Sequence, residues 1–232
     1  MTRRRGRARH VPLVGLLAFT SGCVDAVTLM VIGGAFTSVI TGNLIFAGRA
    51  VGTSSLSPAL HAIMSVAGYV LGVAAGSRLR QVFDRRGPRA EWPRSATQIL
   101  VIEFTLLVAA NVAWIGYAAR PPAAATDLLL VVLALALGMQ GAAARGIKGA
   151  PSTTYMTGAL TALVEALATG GRRTADTSAA AGLLALVAGA ACGAVLVEHA
   201  PRAALLPALA SLGLVAVVKL RHHRGEQEPG YS

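Results

Sequence analysis

Three carboxyl groups stand inside otherwise apolar stretches: Asp25 in VPLVGLLAFTSGCVDAVTL, Glu103 in ILVIEFTLLVAANVAWIG and Glu165 in MTGALTALVEALA. A carboxylate at the centre of a bilayer costs roughly 2.5–3.5 kcal/mol on insertion scales, so such groups face a bundle interior or a cavity. Neither Asp25 nor Glu103 has a Lys or Arg within a helical turn. Each therefore needs a partner from elsewhere in the chain, a bound cation or a proton. Two roles fit that pattern: an ionisable group in a solute or proton pathway, or a structural carboxyl that bonds an unwound backbone. Glu165 precedes Arg172 and Arg173 by about two helical turns and reads as a solvated or paired surface group. Neutral donors and acceptors at the same apolar depth come from Thr37, Thr41, Asn43, Asn111, Gln140, Thr153, Thr154 and Thr157.

Several of these residues fall in two stretches that echo one another. GGAFTSVITGNLIFAGR begins at Gly33 and GAPSTTYMTGALTALVE begins at Gly149, with Thr41-Gly42 and Thr157-Gly158 half a chain apart. Each stretch is apolar enough for a bilayer but short, and rich in Gly, Ser and Thr. Thr41 and Thr157 are placed to cap the helical runs that follow, with Gly42 and Gly158 supplying the permissive backbone. A half-helix starting inside the membrane would present N–H groups and partial positive charge to a polar or anionic solute. The alternative is a kink whose Thr hydroxyl only repairs a broken hydrogen bond. The candidate pathway residues are thus Asp25, Thr37, Thr41, Gly42, Asn43, Glu103, Gln140, Thr153, Thr154, Thr157 and Gly158.

The elements that must carry them are helices. A helix crossing about 30 Å of hydrocarbon needs roughly 20 apolar residues, and six stretches qualify: 11–32, 57–77, 96–118, 124–144, 177–197 and 202–219. The first follows a basic leader and resembles a signal peptide. Its apolar run is longer than such a segment's core and contains Asp25, so it reads as a retained span. The Thr-Gly stretches, about 35–50 and 151–170, are the ambiguous ones, and Lys/Arg placement decides them. If both dip in and return, every Lys and Arg falls on one side except Arg49, Arg120 and Arg202. If both cross, the two sides become nearly equal. The sharper partition gives six spans with both termini cytoplasmic. Three crossings per half then send the second half in from the opposite face.

The expected fold is therefore all-α and polytopic, with six transmembrane helices and two re-entrant or broken half-helices in an inverted repeat. It forms one membrane domain over residues 1–232, with a first repeat at 11–118, a second at 124–219 and a disordered tail at 221–232. Small residues every four positions, Gly68, Gly72 and Gly76 in one half and Ala185, Gly189 and Gly193 in the other, make flat helix faces. Such faces let backbones approach closely and pack the two repeats, or two copies of the chain, together.

Composition excludes several classes. Hydrophobic residues make up 54% of the chain and charged residues 13%, against about 25% charged in soluble domains. The net charge of +11 sits in short clusters between apolar runs, as in the loops of membrane proteins, and not on one nucleic-acid-binding face. Cys23 and Cys192 lie in apolar runs and read as small buried residues. His10, His61, His199, His222 and His223 are scattered, with no metal-ligand spacing. No Walker loop, HExxH or GxSxG is present, so neither an enzyme nor a cofactor or metal is expected.

Ser21-Gly22-Cys23-Val24-Asp25-Ala26, Phe36 and Thr41-Gly42-Asn43, with Gly138-Met139-Gln140-Gly141-Ala142 and Ser152-Thr153-Thr154-Tyr155-Met156-Thr157-Gly158, resemble the YoaK-like family of bacterial inner-membrane proteins of unknown function. Such proteins often show Gln-Asn where this chain has Gln140-Gly141. The resemblance implies a polytopic plasma-membrane protein and names no substrate. The functional expectation is a small-solute or ion transporter or channel with its pathway between the two Thr-Gly stretches. The rival is a membrane scaffold or accessory subunit that uses its glycine faces to bind a partner.

Overall fold

The computed structural model describes residues 2–53, 56–84, 91–147, 156–169 and 174–225, with side chains from residue 12 onward except 56–58 and 174–177. Among these residues the chain forms eight α-helices and one 3₁₀ turn. They are α1 Thr2–Val31, α2 Ile40–Gly52, α3 Leu56–Asp84, α4 Arg94–Gly116, α5 Ala123–Gly146, α6 Met156–Ala168, α7 Thr174–His199, the turn Pro201–Ala203, and α8 Leu206–Gly225. Six apolar segments of 20–26 residues, five within α1, α3, α4, α5 and α7 and one running from the Pro201 turn through α8, are long enough to cross a membrane. The helices α2 and α6 have 13 residues each, about 20 Å at 1.5 Å per residue, which is short of the hydrocarbon thickness.

The two halves pair across one another. Helix α3 packs on α5, the first helix of the second half, and α7 packs on α1, the first helix of the first half. Glycines make both contacts. A Cβ added to Gly72 would collide with the Leu135 carbonyl, and one on Gly189 with the Phe19 carbonyl. One on Gly76 would meet Ala142 and Met139, and one on Gly193 would meet Cys23. From the other side, Gly138 abuts the Tyr69 carbonyl as Gly22 abuts that of Leu186. These contacts are the same ones made twice, so an approximate two-fold axis relates the halves. The glycine faces join repeats within one chain.

The same contacts fix direction. Gly15, Phe19 and Cys23 meet Ala185, Gly189 and Gly193 in ascending order, so α1 and α7 run parallel, as do α3 and α5. Between halves, Leu17 and Ser21 of α1 lie against Gln140, whereas Gly33 lies against Leu130. Hence α1 and α5 run antiparallel. So do α4 and α8, through Thr97–His223, Phe104–Gly213 and Trp114–Pro201. The core thus consists of α1, α5, α4 and α8 in a ring, flanked by α3 and α7, with α2 outside on α3 and α6 outside on α7.

The helix boundaries depart from the sequence reading at particular points. Thr41 and Thr157 do not cap: α2 starts at Ile40 behind Val39, whose side chain makes no capping bond, and α6 starts at Met156, which puts Thr157 inside it. Gly42 and Gly158 are helical. The left-handed backbone that ends α1 is at Gly33 (φ 80°) and Gly34 (φ 67°), a conformation glycine adopts without steric penalty. The basic segment Arg3–Arg9 belongs to α1. At the other end, α8 continues to Gly225 with His222, His223 and Arg224 in its last turn, where cations favour the helix dipole. Residues 221–225 are therefore helix and not tail, and 226–232 lie outside the described residues.

Gly72→Leu and Gly189→Leu each force a side chain into a facing backbone. Each is expected to cost about 1–3 kcal/mol or more, read as a lowered thermal midpoint in detergent. Gly48→Ala and Gly182→Ala, where a Cβ meets nothing within 4 Å, leave it unchanged or raise it. Equal behaviour of the two groups would refute the packing role of the glycine faces.

Candidate functional site

Past Gly34 the chain turns back along α1 as an unwound segment, residues 35–39, before α2 begins. Unwound backbone in an apolar bundle leaves polar groups that must find partners. Asp25 supplies them. Its Oδ1 accepts from the Thr37 amide (2.6 Å), the Thr37 hydroxyl (2.8 Å) and the Ser38 amide (2.8 Å), and its Oδ2 accepts from the Ser38 hydroxyl (2.5 Å). Four donors match the roughly four acceptor positions of a carboxylate. Asp25, Thr37 and Ser38 are all buried.

A second clamp lies beside the first. The Asn43 amide reads the backbone of Phe36 on both sides, accepting from its N–H at 3.0 Å and donating to its carbonyl at 2.6 Å. Asn43 also donates to Ser65 of α3 at 3.1 Å, and the Ser65 hydroxyl donates to the same Phe36 carbonyl. The Phe36 ring lies over Gly42 and stacks on Phe46 at 5.9 Å between centroids. Three elements, α1, α2 and α3, thus hold one unwound segment. The donors expected to be free at the start of α2 are largely spent nearby, since Ile40 bonds the Ser38 carbonyl, and Gly42 and Asn43 bond that of Val39.

The structure brings Asp25, Thr37 and Asn43 into this cluster. Gln140 lies farther along the same face of α1, donating to the Leu17 carbonyl (3.1 Å) and the Ser21 hydroxyl (2.7 Å), with its own Oε1 buried and unpartnered. Leu17, Ser21 and Asp25 stand four residues apart, so a polar seam runs about 12 Å along α1 from Gln140 to the unwound segment. Thr41 is exposed on α2, as is Thr157 on α6, while Gly158 is part-exposed within α6. Thr153 and Thr154 lie outside the described residues. Glu165 is exposed, as read from sequence.

Glu103 stands apart from the cluster. It is completely buried on α4, and neither carboxyl oxygen has a hydrogen-bond partner among the described residues. Asn111, two turns farther along α4, also buries an unpartnered Oδ1. No group of three His, Cys, Asp or Glu among the described residues could hold a metal ion.

Several contributors escaped the sequence reading. Ser38 and Ser65 complete the clamps, and Thr20 bonds Ser211 across the core at 2.7 Å. A lone serine in an apolar span was the only signal for Ser65. His61 meets Asp127 at 3.0 Å beside Gly33, joining α3 to α5. The clamp's polar residue types do not recur in the second half, where the positions matching Asp25, Asn43 and Ser65 under the two-fold are Gly141, Ala159 and Gly182.

Residues 13–218 match the family described as "Protein of unknown function (DUF1275)". The chain belongs to this family. Among its relatives, the UPF0700 transmembrane protein YoaK of Bacillus subtilis (strain 168) is 30% identical over 156 residues, 66% of this chain and 65% of that protein. The aligned stretch thus covers just under two thirds of the relative's length. No solved structure matches the chain. Family membership and six apolar helices of spanning length make this a multi-pass membrane protein.

Asp25→Asn puts an amino group in place of one carboxyl oxygen, where three donors (at Oδ1) or one (at Oδ2) now point, and a buried donor left unpaired costs about 1–3 kcal/mol. Amide exchange at Thr37 and Ser38 is expected to accelerate about tenfold or more, at 1.4 kcal/mol per factor of ten. Thr41→Ala, on the exposed face of α2, leaves those amides unchanged. Equal protection at Thr37 and Ser38 in the Asp25→Asn variant and the unsubstituted protein would show that the carboxylate does not hold the segment.

Proposed function

We propose that this protein is a small-solute or ion transporter or channel of the bacterial inner membrane, and not an enzyme. In this reading the halves form an inverted repeat, both termini are cytoplasmic, and the segment from Gly33 through α2 is re-entrant. The observation that carries the reading is the return of residues 35–39 into the bundle. Non-helical backbone at membrane depth is tolerated where protein buries it or where it lines a water-filled path. Transporter sites are built from such breaks at the interface of inverted repeats. Support for the re-entrant course comes from direction. The end of α1 and the start of α3 meet at Gly33 and His61, and α1 and α3 run antiparallel, so α2 leaves and rejoins the same end of the bundle.

The pathway follows the polar seam of α1, past Gln140 and Ser21 to the clamped segment. Asp25 holds the segment in place. Glu103, whose oxygens lack protein partners, is the ionisable group of the cycle: it carries a proton or a cation in one state and releases it in another. A buried, unpaired carboxyl is costly enough that it must be neutralised in one of these ways.

Two measurements test this. In a Cys23→Ala, Cys192→Ala background, Val31→Cys and Thr53→Cys should react with an impermeant maleimide from the same side of the membrane; labelling from opposite sides removes the re-entrant segment. Proteoliposomes holding a pH-sensitive dye and challenged with a panel of inorganic ions and small organic solutes should show flux that Glu103→Gln lowers at least tenfold with insertion intact. Undiminished flux in that variant, or none for any solute with the unsubstituted protein, would sink the transport reading.

A further inference from the structure

The end of the bundle where α4 and α7 finish carries a second polar feature. A cleft of about 660 Å³ opens there, lined by Ala118, Ala119 and Arg120 after α4 and by Ala200, Pro201, Arg202 and Ala203 ahead of α8. That volume lies in the range of small-molecule sites. Among the described residues, both charged groups in its lining are arginines, and no acidic side chain lines it. Neither guanidinium makes an ion pair or hydrogen bond among the described residues.

The walls are built in an unusual way. Helix α4 ends in a Schellman turn, with the Ala119 amide bonding the Trp114 carbonyl (2.9 Å) and the Ala118 amide that of Ile115 (2.8 Å). Glycine usually takes the left-handed position of that motif. Here two consecutive alanines adopt it, Ala118 at φ 52° and Ala119 at φ 61°, at a cost of order 1–3 kcal/mol each. The strained turn brings Arg120 to the cleft that Arg202 lines from the other side. Trp114, fully buried, donates its indole N–H to the Pro201 carbonyl at 2.7 Å and so ties the two walls together. The ends of α4 and α7 each carry the negative pole of a helix, about half a charge, but the turn's own bonds occupy the nearest carbonyls of α4, and two full positive charges outweigh both poles.

Two arginines lining one cleft, with no acid in its lining among the described residues, select an oxyanion, and guanidinium geometry favours a phosphate or carboxylate gripped by paired N–H bonds. The cleft sits at the ends of three spanning segments, where lipid headgroups and dissolved anions both reach. We propose that Arg120 and Arg202 form a binding site for a phosphate group at this end of the bundle, supplied by an anionic lipid headgroup or by free phosphate. The proposal does not depend on the transport reading, and its test uses no flux.

The experiment measures thermal midpoint by tryptophan emission, with protein in nanodiscs of phosphatidylcholine, first with added inorganic phosphate against chloride at equal ionic strength, then with part of the lipid replaced by phosphatidylglycerol. The unsubstituted protein should be stabilised by at least one source. A rise with soluble phosphate assigns the site to a free anion, and a rise with phosphatidylglycerol alone assigns it to a headgroup. Arg120→Gln with Arg202→Gln should abolish the rise, and Arg202→Lys, which keeps the charge but loses the paired bonds, should weaken apparent affinity about tenfold. Should the double variant fail to fold, the Arg202→Lys titration decides in its place. No stabilisation from either source, the same rise in the double variant, or undiminished affinity in Arg202→Lys overturns the proposal.

Discussion

An unwound stretch of backbone inside an apolar bundle has to find partners for its N–H and C=O groups within the protein, and much of this structure follows from how residues 35–39 meet that demand. The amides of Thr37 and Ser38 end on Asp25, while the amide and carbonyl of Phe36 end on Asn43, with Ser65 joining at the carbonyl. Bonds to a charged acceptor are roughly twice as strong as neutral ones. One carboxylate with four donors can therefore hold a segment that helical hydrogen bonding has abandoned. Gly33 and Gly34 make the reversal sterically open, and the clamps make it stable.

The segment also needs a rigid frame, and the crossed pairing of the repeats supplies one. Each half lends its second long helix to the first helix of the other half, through glycines that admit backbone contact. The halves cannot separate without breaking both seams. Symmetry stops at the clamp, because Gly141, Ala159 and Gly182 stand where Asp25, Asn43 and Ser65 stand in the first half. Two repeats with the same helix-packing contacts therefore carry different chemistry on them.

What was legible in the sequence follows the same division. Spans were legible because bilayer thickness sets a length, and the small-residue faces because a period of four marks one side of a helix. Asp25 stood out as a carboxyl in an apolar run, and both of its candidate roles could be stated. The helix break was misplaced by several residues, at Thr41-Gly42 in place of Gly33-Gly34, because the Thr-Gly pair resembles a cap and nothing local shows that α2 is already under way. Ser38, Ser65 and the His61–Asp127 pair were missed because each acquires meaning only from a residue brought near by folding. The cleft of Arg120 and Arg202 was hidden for the same reason, its two sides being 82 residues apart in the chain.

The two buried carboxyls, an aspartate and a glutamate, meet opposite surroundings in the fold. Asp25 and Glu103 look alike in sequence, each alone in a long apolar run. In the fold, Asp25 has its acceptor capacity filled by the chain's own donors and has none left for a solute. Glu103 has none of it filled, although it is the more deeply buried of the two. An unfilled, buried carboxyl is a poor way to stabilise a helix bundle, since an apolar residue of similar volume would avoid the desolvation cost. Under the proposed transport function, that open acceptor capacity is where a proton or a small cation would bind.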